Sequence, residues 1–224
     1  MSARTNLNAR KVGRPKDPDL EARRRREILD AATKVFAADG YADADVQVVA
    51  NALGVGKGTI YRYFPTKQEL FLSAVDRGLD SLSAEMEAVI EDRTVDPIEQ
   101  IRRAFHVYLS FFHARPELTE LFIQERVAFR GRHTPRYFAT KGSFQARDEA
   151  FLKELIAMGR LRDVPPEQLL TAIGDLLYGT VLSNHLSGRV SDPTQQANAM
   201  LDVLFHGILT DTERKSNRKK SRPS

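Results

Sequence analysis

Lys57, Gly58, Thr59, Tyr61 and Arg62 fall within six residues and combine cations, hydroxyls and one position without a side chain. Ammonium, guanidinium and hydroxyl groups donate to phosphate oxygens and base edges, and a glycine lets a backbone approach a groove closely. Such groups are useful only if a rigid element carries them on one face. The surrounding run, VQVVANALGVGKGTIYRYF from Val46 to Phe64, supplies one. Val49, Ala50 and Leu53 form the apolar stripe of a first helix, Gly54 can take the positive φ of a tight turn, and Val55, Ile60 and Tyr63 cover the inner side of a second helix. The pattern predicts a helix-turn-helix, with Ala50 small where the helices cross and Asp45 capping the first. Gly54-Val55-Gly56-Lys57-Gly58 follows a helix rather than a strand and lacks the spacing of a phosphate loop, so it reads as the turn.

Flanking residues extend the unit. Ile28, Leu29, Ala32, Val35 and Phe36 recur at helical spacing, and Gly40 ends that helix. After Phe64-Pro65, Thr66 can cap a fourth helix in which Leu70, Phe71, Ala74 and Val75 continue through Leu79 and Leu82. Lys67 then sits in a first helical turn, where its ammonium and the backbone N–H groups can share one phosphate. At AATKVFAADGY, Ala31 to Tyr41, and KGTIYRYFPTKQELF, Lys57 to Phe71, the chain resembles the TetR/AcrR family of bacterial transcriptional regulators, over about residues 24 to 80. Ala44 with Asp45, and Val48, depart from the family's usual residues but remove no donor. The resemblance implies an all-α fold with an N-terminal three-helix helix-turn-helix DNA-binding domain and a C-terminal helical domain for ligand binding and dimerisation. It assigns Lys67 to phosphate and the last two long helices to a homodimer interface. On the residues themselves, Gln47, Lys57, Gly58 and Thr59 are expected at bases, and Tyr61, Arg62, Tyr63 and Lys67 at phosphates.

Composition narrows the alternatives. The chain has 224 residues and a charged fraction of 29%, ordinary for a folded protein. The absence of cysteine excludes disulfides, thiolate metal sites and thiol redox sensing. The five histidines lack metal-ligand spacing, and no GxSxG or HExxH occurs, so neither a catalytic residue, a metal site nor a cofactor is expected and the protein reads as no enzyme. With no signal peptide or apolar span, a cytoplasmic protein without membrane contact is expected. Net charge is +4, but bases crowd the ends while residues 68–210 carry more acids than bases. Residues 1–20 read as a flexible basic arm whose Gly13-Arg14-Pro15 could lay Arg14 in an A·T-rich minor groove or simply attract phosphates. Residues 211–224 read as a basic disordered tail, either solubilising or touching DNA.

Residues 21–82 thus form the DNA-binding domain and 83–210 the effector-binding and dimerisation domain. In the latter, Asp96-Pro97, Arg115-Pro116, Pro165-Pro166 and Asp192-Pro193 open or interrupt helices, the last reaching Ile208, and the interval from Gly131 to Gly142 is expected to be irregular. Gly174, Gly179, Ser183 and Ala197 suggest close approach between the last two helices, with an all-internal core as the alternative to a dimer. Aromatic and soft side chains could line an apolar cavity. Phe105, Tyr108, Phe112, Phe122, Phe151 and Tyr178 are the expected walls, with Glu125, Arg126 or Asn184 as directional contacts. A Glu125–Arg126 or Glu125–His106 contact could orient a ligand or be an internal pair. The expected function is a ligand-responsive regulator, a repressor in output, that binds double-stranded DNA at a palindromic operator as a homodimer and is released by a small, largely apolar effector. The competing reading is a constitutive or architectural DNA-binding factor without an effector.

Overall fold

Prolines and short polar caps set most of the helix boundaries. The computed structural model describes residues 18–207, and its elements are α1 (Pro18–Asp43), α2 (Val46–Ala52), α3 (Lys57–Tyr63), α4 (Lys67–Ile90), α5 (Pro97–Ala114), α6 (Pro116–Ala128), α7 (Arg136–Ala157), α8 (Pro166–Ser187) and α9 (Pro193–His206). Thr66 accepts the Glu69 N–H at the start of α4, Asp96 that of Ile98 at α5, and Asp192 that of Thr194 at α9. Each satisfies a donor that the first turn leaves without a partner. Pro18, Asp19 and Leu20, expected at the end of the basic arm, instead open α1; the rest of the arm with Arg14, the basic tail, and Ile208 lie outside the described residues.

α1 is broken where the sequence predicts. Gly40 adopts φ 80° and ψ 156°, and the Ala44 N–H then reaches back to the Gly40 carbonyl at 3.0 Å. The interval from Gly131 to Gly142 is regular over its second half, contrary to expectation. Pro135 stands just before α7 with φ −53°, and the helix runs through Gly142. A proline fixes the dihedral that a helix start needs, whereas one interior glycine costs only about 1 kcal/mol, so Thr134-Pro135 acts as a start signal.

α1 packs across α4 and α6, and α2 and α3 pack on each other, with α2 against α1. Ile28, Ala32 and Phe36 of α1 and Val49, Ala50, Ile60, Phe64 and Phe71 share one core, all nearly inaccessible. α4 passes from this core into the second half of the molecule, so a boundary at 82/83 falls inside a continuous helix. At its middle, α4 meets α6 so closely that a Cβ on Gly78 would lie 2.6 Å from Leu118 Cδ2. α5 carries α4, α6, α8 and α9 on its sides, while α7 lies on α8 and α4. No helix among the described residues is long and apolar enough to cross a membrane.

Within one chain the small residues of α8 do not bring it close to α9. Gly174 faces the Lys141 side chain of α7, Gly179 and Ser183 are exposed, and α8 and α9 both rest on α5. What joins α8 to α9 is polar, chiefly Asn184 Nδ2 donating to Gln196 Oε1 at 2.8 Å.

The two halves meet at rings. Phe71 is fully buried against Phe36 at 5.1 Å, Tyr41 at 5.0 Å and Phe129 at 5.9 Å between centroids. Phe71→Ala should lower the unfolding free energy by about 3–5 kcal/mol, the range for truncating a buried Phe, measured by urea denaturation followed by circular dichroism.

Candidate functional site

The turn between α2 and α3 is built from backbone. Gly54 has φ 66°, which lets the Val55 N–H donate to the Ala50 carbonyl at 3.0 Å and closes α2 with left-handed geometry. Ala50 is inaccessible where the helices cross, and Ile60, also inaccessible, pins α3 to the core. This leaves Gly58, Tyr61 and Arg62 exposed and Lys57, Thr59 and Tyr63 half-buried on one short helix. A Cβ built on Gly58 would meet nothing within 4 Å, so internal packing does not require glycine there.

Asp45 organises the edge of this face. Its Oδ1 accepts the Gln47 N–H at 2.8 Å, capping α2, and also the Lys57 ammonium at 2.7 Å. The backbone hydrogen bond, then Lys57, hold its carboxyl below the usual 3.8, and the same contact raises the Lys57 ammonium. Gln47 Nε2 donates to Asn51 Oδ1 at 2.8 Å, one turn along α2. Lys67 donates to the Ala42 carbonyl at 2.9 Å with its ammonium 5.3 Å from the Tyr41 ring centre, so it is held at the junction of α1 and α4. Arg25 donates to the Tyr63 carbonyl at 2.9 Å and lies 4.4 Å from the Phe64 ring centre, tying α1 to the end of α3. Its part is invisible in the sequence, where it reads as one charge in an arginine run.

In the second half, α4, α5, α7 and α8 enclose a cavity of about 220 Å³. Its walls are mostly apolar, among them Leu79, Met86, Phe105, Phe144, Phe151 and Leu177, and its polar groups are few: Ser83, Thr140, Lys141, Arg147 and Asp148, with Tyr108 and Tyr137. The two tyrosine hydroxyls bond to each other at 2.7 Å. Burial pushes the Tyr137 phenol up to about 12 and holds that of Tyr108 well above the ordinary 10, so both are neutral at physiological pH.

Residues 28–74 match the family model described as "Bacterial regulatory proteins, tetR family". This segment belongs to the family. Among curated relatives, the HTH-type transcriptional regulator HbdR of Aromatoleum sp. is 32% identical over 105 residues, covering 47% of this chain and 45% of that protein. The chain spans about half the length of the curated relatives it matches. Among solved structures, the fatty acid degradation regulator FadR from Bacillus halodurans matches over 85% of this chain and 96% of that one, with TM-score 0.70 and 20% identity. The transcriptional regulator FadR from Bacillus subtilis, in complex with stearoyl-CoA, matches over 82% and 99%, with TM-score 0.68 and 22% identity. At such identities the two structures establish a shared fold; these relatives are regulators, not enzymes.

Beyond the matched segment, the expected ligand contacts are dispersed. Phe105, Tyr108 and Phe151 line the cavity described above. Phe112 and Asn184 line a second, more polar cavity of about 230 Å³ between α5, α6, α8 and α9. Phe122 packs its ring against Phe112 and Tyr137, and Tyr178 against Tyr137 and Phe138, outside both cavities. Arg126 is exposed on α6. Glu125 pairs with neither Arg126 nor His106: only 1% exposed, it accepts from His133 at 2.8 Å and from the Arg136 N–H at 3.1 Å, while His106 bonds Asn198. Lys141 escapes a sequence reading that leaves Gly131 to Gly142 irregular, and Arg147 and Asp148 lie beyond that interval, where charge alone does not point to a cavity. From Arg136 onward, Tyr137, Thr140, Lys141, Phe144, Asp148 and Phe151 fall on one helical face.

The Asp45 cap yields a pH prediction. Because its folded-state pKa is depressed, its contribution is complete above about pH 4 and is lost as the pH falls through that lowered value. The stability difference between the native chain and Asp45→Ala should therefore be constant above about pH 4 and shrink on further acidification, measured by urea melts across pH.

Proposed function

We propose that the chain is a ligand-responsive transcriptional regulator, a repressor in output, that binds a palindromic operator as a homodimer and releases it when a small, largely apolar effector fills the cavity between α4, α5, α7 and α8. The observation that carries the reading is the outward donor face of α3 together with a cavity whose wall includes the far end of α4. Gln47, Lys57, Gly58 and Thr59 would approach bases, and Tyr61, Arg62, Tyr63 and Lys67 phosphates. Arg14, outside the described residues, would add a minor-groove or phosphate contact. A dimer supplies two half-site contacts, and a stripe on α8, Leu176, Gly179, Ser183 and Leu186, is exposed with Leu186 69% accessible; Val203 of α9 is exposed as well. The stearoyl-CoA bound by the Bacillus subtilis protein has a long apolar chain, in keeping with an apolar effector here. The cavity favours this reading over a constitutive DNA-binding factor, which would need none.

Release needs a path from the cavity to α3, and two are built in. One is α4 itself. The other starts at α7, whose Tyr137 and Thr140 line the cavity within about one turn of Arg136. Arg136 pairs with Asp76 of α4 at 2.7 Å and donates its N–H to buried Glu125, while Phe129, near His133, packs with its ring tilted against Tyr41 at 4.9 Å. An effector that favours one placement of α7 then favours one placement of the DNA-binding half.

The primary test is selection of bound fragments from random DNA, followed by affinity measurements on the selected sites. Lys67→Ala should weaken binding to selected and random DNA alike and reduce the slope of log affinity against log salt by about 0.9 for each phosphate that the ammonium neutralises; an unchanged slope would remove Lys67 from the interface. Asp76→Asn should leave ligand affinity within about threefold of native but reduce the ligand's effect on operator affinity, read by titrating one in the presence of the other. An undiminished effect would assign the coupling to α4 alone.

A further inference from the structure

We infer that the cavity takes an amphiphile with an anionic head, an apolar body among α4, α5 and α8 and its negative group on Lys141 at the rim. The inference rests on the effector reading above and adds the charge of the ligand.

Two cations line the cavity, and they are not equivalent. Arg147 is already neutralised, 3.1 Å from Asp148 and 3.5 Å from Glu87, with its guanidinium 4.8 Å from the Phe144 ring centre. Lys141 forms no ion pair among the described residues. Its side chain nevertheless occupies a defined place. It crosses from α7 to α8 over Gly174, where a Cβ would lie 2.8 Å from its Cε and collide with its ammonium. The ammonium and Cε therefore lie over the Gly174 backbone at the rim, in a residue that is exposed as a whole. The missing side chain at Gly174 makes room for it.

With Arg147 and Asp148 paired and the Tyr108 and Tyr137 phenols neutral, Lys141 is the one charged side chain of the described lining without an ion-pair partner among the described residues. A cation beside an apolar cavity is screened less than one in open water, so an anion seated there gains more than at a free surface lysine. A neutral ligand would gain nothing from it, and a cationic one would be repelled. A carboxylate or phosphate joined to an apolar chain or ring meets both the walls and the rim.

The test uses the full chain at pH 7.5 and matched probes, octanoate against 1-octanol and decanoate against 1-decanol, kept below micelle-forming concentrations and followed by calorimetry. Each carboxylate should bind about tenfold more tightly than its alcohol, the scale of a charge-assisted contact. Lys141→Met, which keeps the apolar stem, should abolish that preference while leaving alcohol binding within about twofold. Lys141→Arg should retain it, and Gly174→Ala, which displaces the ammonium without altering charge, should reduce it. Equal binding of acid and alcohol by the native chain, or a preference that survives Lys141→Met, would overturn the anionic assignment and leave the apolar effector reading standing. Binding of neither series would overturn both.

Discussion

The orientation of the DNA-binding half depends on one aromatic contact zone, where Tyr41, Phe71 and Phe129 meet with centroid separations of 4.9–5.9 Å. Each ring comes from a different element: the last turn of α1, the first part of α4, and the residue just after α6. Aromatic packing is strong for its area but geometrically selective, so three rings from three elements fix angles as well as distances. Phe36 adds a fourth ring from within α1, edge-on to Phe71. The pairing of α2 with α3 is set locally, by Gly54 and Ala50, but where that pair points is decided here.

Much of the first half was legible because its signals are local. Asp45 and Thr66 cap the helices they precede, Gly40 and Gly54 have the positive φ that their positions require, and the apolar stripes map onto one core. These features depend on residues within about five positions of each other, which periodicity and turn chemistry can read. The cavity was legible only as an inventory. Phe105, Tyr108 and Phe151 line it, whereas Phe122 and Tyr178 pack elsewhere, and nothing in the spacing along one helix says which neighbour its apolar face will meet. Glu125 failed for the same reason. Its partners are a histidine eight residues on and a backbone N–H eleven residues on, brought back by a loop whose shape no periodicity encodes.

Several buried polar groups in the second half occur as satisfied sets, although Gln124 Oε1 and Arg136 Nε are buried without a hydrogen-bond partner among the described residues. Glu125 accepts from His133 and Arg136, Tyr108 and Tyr137 share a hydrogen bond, and Gln100 Nε2 reaches the Asp92 carbonyl at 2.6 Å. Leaving one such group unpaired would cost about 1–3 kcal/mol, so each set fixes a register between elements that apolar packing alone would leave adjustable. Glu125 sets α7 against α6, and Tyr137 sets it against α5. α7 therefore touches the cavity while its first turn is held on two sides.

The close crossing at Gly78 gives α4 a mechanical character. Leu118 lies against the one position of the helix where no side chain intervenes, near its midpoint. Eleven residues separate Gly78 from Lys67 and twelve separate it from Ile90, which at 1.5 Å per residue are arms of about 16 and 18 Å. A stiff helix gripped at its centre behaves as a balanced beam: pushing Met86 and Ile90 away from the cavity tips Lys67 the opposite way by nearly the same amount. The crossing transmits displacement with its sign reversed and without gain. Any amplification must come from whatever is carried beyond the short end of the beam, and that is α3.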